Sequence, residues 1–75
     1  MQELTTVELE EMGVNPEDVK KWHEKAKKAH KIIIYEKKGS IHATYSENEE
    51  SVRGTLVALK SLGGTPKGYL IPQKK

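Results

Sequence analysis

The chain contains no cysteine, which excludes disulfides and thiolate–metal staples and fits a reducing, cytoplasmic setting. No apolar run approaches the ~20 residues of a membrane span, and no signal-peptide pattern opens the sequence, so no membrane partner is expected. Hydrophobic residues make up only 35% of the 75, against 32% charged. A chain this short and polar supports one domain with a small core, near the limit where packing alone sustains a fold. Homodimer formation is one way to enlarge such a core. Arginine is scarce as well: Arg53 is the single one among thirteen basic residues.

The motifs of most enzyme chemistries are also missing. His23 and His30 stand seven positions apart, about 10.5 Å of rise on a helix, too far to grip one ion. The HExxH spacing is absent, so no metal ligands are assigned and no cofactor is expected. Gly63-Gly64-Thr65-Pro66-Lys67-Gly68 has glycines and a lysine but does not fit G-x-x-x-x-G-K-[ST]. It also follows a helix, so the nearby dipole end is the negative one. No serine sits in a G-x-S-x-G elbow. The adjacent carboxylates Glu10-Glu11 and Glu49-Glu50 fall on helices and read as solvated, so no catalytic residue is assigned.

What the chain does have is charge sorted along its length. Met1–Asp18 carries six acids and no base, Val19–Lys38 eight lysines against Glu24 and Glu36, and Gly39–Lys75 five bases against three acids. The net charge of +2 thus conceals a concentrated basic block, of a kind that meets phosphates or forms a solvated helix face.

Local signals order the elements. Thr5-x-x-Glu8 predicts a capping box and a short helix to about Met12, closed by Gly13. Asn15-Pro16-Glu17-Asp18 predicts a second helix, expected to run to about His30, with Val19, Trp22, Ala26 and Ala29 as its apolar stripe. Ile32–Glu36 reads as a strand, Lys37-Lys38-Gly39-Ser40 as a hairpin connection and Ile41–Tyr45 as the returning strand. Ser46-x-x-Glu49 predicts another capping box, opening a helix to about Leu62 that buries Val52, Leu56 and Leu59. Gly54 inside it suggests close packing on a sheet. Gly63-Gly64 ends the helix, and Gly68–Ile71 is a last short strand before Pro72 and a lysine tail.

The expected fold is therefore α+β: an N-terminal helical pair, then β-β-α-β. A right-handed crossover gives a three-stranded antiparallel sheet of order 2-1-3 with one helix packed on it. Residues 1–14 form an acidic N-terminal segment with a short helix, and residues 15–75 a single small α+β domain. The second helix is the expected cover for the other sheet face, through Trp22.

The basic block points to a small non-enzymatic binding module that contacts nucleic-acid backbone, DNA or RNA. Lys20, Lys21, Lys27, Lys28 and Lys31, with Lys37 and Lys38 at the hairpin and Arg53, are the expected phosphate contacts. Lysine in place of arginine predicts backbone contact more than base reading. Tyr35, His42 or Tyr45 are the expected stacking residues if a sheet face is uncovered. The competing class is a regulatory or inhibitory protein-binding module acting on a larger protein or on itself, through an exposed sheet face or edge strand.

Lys38-Gly39-Ser40-Ile41-His42, followed by Arg53-Gly54-Thr55-Leu56 and Gly63, loosely resembles the HicA-type toxin ribonucleases over about a third of the chain. The resemblance implies RNA cleavage with His42 as catalytic residue. It departs from the family in two respects. The family's histidine follows Gly-Ser directly, whereas Ile41 intervenes here and in the same register turns His42 to the opposite sheet face. The family's third strand before the second helix is also missing.

Overall fold

Each element of the fold starts where the backbone finds a side-chain partner. In the computed structural model, which describes residues 1–72, the Thr5 hydroxyl accepts from the Glu8 amide at 3.2 Å and Glu8 accepts from the Thr5 amide at 3.0 Å. This reciprocal box opens α1 (Thr6–Glu11), and Gly13, at φ +83°, turns the chain out of it. The Asn15 side chain accepts from the Glu17 amide at 2.9 Å and opens α2 (Pro16–Lys25), with Pro16 in its first turn.

The second helix stops at Lys25, short of the expected His30. Its apolar spacing continues through Ala26 and Ala29, both buried, but from an irregular turn. His30 already donates its amide to the Ser46 carbonyl at 2.8 Å. The isoleucine run pulls the chain into an extended form before the helical pattern is exhausted. Strand β1 (Lys31–Lys37) therefore begins one residue before the expected Ile32.

Strand β2 (Ser40–Ser46) returns through a two-residue turn in which Lys38 and Gly39 both have positive φ, 52° and 80°. Such a turn matches the twist of paired strands. The next helix, α3 (Glu49–Ser61), is capped by Asn48 and Ser51, not by Ser46 and Glu49. Asn48 Oδ1 accepts from the Ser51 amide at 2.9 Å, and the Ser51 hydroxyl accepts from the Asn48 amide at 3.2 Å. Ser46 is unavailable for capping because it pairs with Lys31 as the buried end of β2. Strand β3 (Thr65–Leu70) starts earlier than Gly68 and so takes in Pro66. Ile34 pairs with Gly68 and Tyr35 with Pro66, leaving Lys67 as the extra residue of a bulge. The lysine tail, Lys74 and Lys75, lies outside the described residues.

The fold is α+β, with an antiparallel sheet of order β2-β1-β3. Ile32, Ile33 and Ile34 in the central strand are fully buried because both faces are covered. On one face Ile32, Ile34 and Leu70 pack with Leu4, Leu9, Ala26 and Ala29, flanked by Trp22 and Val19. The N-terminal arm and both early helices thus share that core. On the other face Ile33 meets Val52 and Leu59 of α3. Gly54 does not pack on the sheet: it is exposed, and a Cβ there would meet nothing within 4 Å. It stands two positions from buried Val52, on the solvent side of α3.

Candidate nucleic-acid interface

The sequence-nominated residues fall into separate groups. Lys20 and Lys21 are exposed on α2, and Lys27 and Lys28 are exposed in the turn that follows. Lys20 and Lys27 border one groove, with Thr6, Pro16, Val19, His23 and Glu24. Lysines late in the helix and just beyond it also suit the negative end of the dipole.

Lys31 belongs elsewhere. It faces α3, where its Nζ lies 3.7 Å from Glu49 Oε1 and 4.5 Å above the Tyr69 ring. Glu49 also accepts a 2.6 Å contact from His30 Nε2. The hydrogen bond from His30, and after it the charge of Lys31, holds the Glu49 carboxyl below the usual carboxylate range. Lys31 is thus a neutralised cation, not a free phosphate contact.

Lys37 and Lys38 lie at the hairpin, about 20 Å along β1 from Lys31 at ~3.3 Å per residue. Arg53 is exposed on α3, which covers the sheet face opposite α2. Arg53 thus stands apart from the α2 lysines, on the other side of the sheet.

The stacking residues are placed differently from expectation, because no sheet face is left uncovered. Tyr35 is half-buried beside Ile33, Val52 and Leu59, and a Cβ on Gly64 would stand 3.1 Å from its ring. Its outer neighbour is His42, with ring centroids 5.5 Å apart and planes at 29°. His42 is exposed, opposite Tyr35 in the β1–β2 ladder. The chain order also retains the departure from the ribonuclease pattern, since the third strand follows α3.

One residue that sequence reasoning passed over, Lys25, completes the basic surface. Lys25 and Lys28, with Ala26 and Ala29, border an open groove of about 380 Å³ whose far side is Tyr45 and Glu47. Tyr45 is 37% exposed. The three-residue step from Lys25 to Lys28 was the available signal. Among the described residues, no carboxylate lies within the 4.0 Å ion-pair limit of Lys20, Lys21, Lys25, Lys27 or Lys28. Also among the described residues, no group of three or more His, Asp or Glu could hold a metal ion, and no helix is long and apolar enough to cross a membrane. Comparison with protein-family models, curated proteins and solved structures returns no match.

Proposed function

We propose that this chain is a small non-enzymatic binding module whose second helix and following turn contact the phosphate backbone of nucleic acid. One observation supports this above others. Lys20, Lys21, Lys25, Lys27 and Lys28 are all exposed along one short segment, and none has an ion-pair partner among the described residues. Lysines without a carboxylate partner keep their full attraction for phosphate and release counterions on binding. Point-charge ammonium groups, with Tyr35 packed beneath α3, favour binding indifferent to base sequence. A cysteine-free chain suits the reducing cytoplasm, where such a partner is abundant.

The test is an anisotropy titration of labelled single-stranded RNA, single-stranded DNA and duplex DNA from low to physiological salt. Affinity should fall log-linearly with salt, with a slope of about 0.9 per phosphate contacted on duplex DNA. Reversing Lys20 and Lys27 to glutamate together should weaken binding to all three probes and flatten that slope by about two. Absence of binding at low salt would overturn the proposal.

A further inference from the structure

The two edges of the sheet are treated unequally. β3 is blunted by Pro66, by the bulge at Lys67, and by the N-terminal arm, whose Leu4 amide donates to the Tyr69 carbonyl at 2.9 Å while Tyr69 donates to Gln2 at 3.1 Å. These are the devices by which proteins protect a strand edge from a second chain. β2 has none of them. Ser40–Ser46 carries no proline, lysine or acid, and its pairing with β1 runs without a bulge.

The hairpin fixes which backbone groups of β2 are open. A two-residue turn makes Lys37 and Ser40 a hydrogen-bonded pair, and such pairs alternate along an antiparallel ladder. Ser40, His42, Thr44 and Ser46 therefore turn their amides and carbonyls toward β1, as the His30 to Ser46 bond attests. Ile41, Ala43 and Tyr45 turn theirs outward.

We propose that the occupant of this edge is a second copy of the chain, paired β2 to β2 about a two-fold axis at Ala43. Three features converge on that arrangement. First, the outward-facing residues are symmetric about Ala43, so Ala43 meets its own copy and Ile41 meets the partner's Tyr45, each pair exchanging both backbone bonds. Second, that match gives the exposed Tyr45 ring an apolar neighbour on the face where Ile41 is half-exposed. Third, charge is complementary. α2 runs alongside β2 in the same direction, with Asp18 and Trp22 beside Gly39, Ser40 and Ile41, and Lys25 and Lys28 beside Tyr45. The two-fold turns one α2 antiparallel to the other and brings Asp18 of each copy to the end held by the partner's Lys25 and Lys28. Glu47 shares that end, and the two lysines outnumber it. Lys20 and Lys27, the pair reversed in the nucleic-acid test, lie toward α1 outside the interface, whereas Lys25 and Lys28 are shared by the two readings.

Sedimentation equilibrium of the full chain from micromolar to millimolar concentration tests the pairing. The wild type should form a monomer–dimer equilibrium with no larger species, because the two-fold closes on itself. Ala43→Pro removes an outward amide without touching the β1 ladder and should give monomer. Lys25→Glu and Asp18→Lys should each weaken the dimer by about tenfold or more, since both symmetric contacts become repulsive. Mixed in equal amounts, the two charge variants should pair again, because each then faces its opposite. If Ala43→Pro fails to fold by circular dichroism, the exposed charge variants decide alone. A wild type that stays monomeric at millimolar concentration would overturn the proposal. So would a dimer indifferent to both charge reversals, or a mixture that does not re-associate.

Discussion

Gly54 and Gly68 both interrupt regular elements, and they do so for opposite reasons. At Gly54 nothing stands within 4 Å of a Cβ position, so the residue carries only the entropic cost of glycine in a helix. Gly54→Ala should therefore raise stability by about 1 kcal/mol, read as a higher urea midpoint at unchanged slope. At Gly68 a Cβ would lie 2.6 Å from Leu4 Cγ and 2.7 Å from the Gln2 carbonyl oxygen. Gly68→Ala should destabilise the chain and loosen the N-terminal arm, seen as faster hydrogen exchange at the Leu4 amide. Glu49 offers a third test at this scale. Its carboxyl is held below the usual range first by the His30 hydrogen bond and then by Lys31. A carboxylate whose folded pKa is depressed stabilises the fold above its unfolded pKa, and that contribution is lost as pH falls through the folded value. Glu49→Gln should thus be less stable than wild type near neutrality. The gap should close as urea midpoints are followed into acid, and a gap constant with pH would refute the assignment.

Among the elements, α1 matters most for its size. Leu9 is 2% exposed and shares a core with Ile32, Ile34 and Leu70. Leu9→Ala should cost about 2–5 kcal/mol, a large share of the roughly 5–15 kcal/mol that holds a small domain. Chemical denaturation would show it, and a loss under about 1 kcal/mol would mean that α1 is peripheral. The starts of α1 and α2 were legible because Thr5, Glu8, Asn15 and Pro16 act within one turn of chain. The start of α3 was ambiguous for a physical reason. Ser46-x-x-Glu49 and Asn48-x-x-Ser51 both have cap spacing, and the pairing of Ser46 with Lys31 removes the first. The end of α2 was illegible because Ala26 and Ala29 keep helical spacing while reaching the core from a turn.

Across the whole molecule, the strand order followed from crossover handedness and the apolar centre of Ile32-Ile33-Ile34, and the structure has that order. The α2 lysines of the candidate interface were likewise visible as a run of one charge. Their separation from Lys31 and Arg53 was not, since it depends on which sheet face each residue reaches. The sequence by itself determined the caps of α1 and α2, the turn at Lys38-Gly39, the presence of three strands and the basic character of the second helix, because each depends on residues close in the chain. The tertiary structure alone decided that Lys31 is neutralised by Glu49, that Tyr35 lies beneath α3 and that β2 keeps an open edge. Those outcomes depend on ladder register and packing between residues far apart in the chain, where no local spacing carries the information.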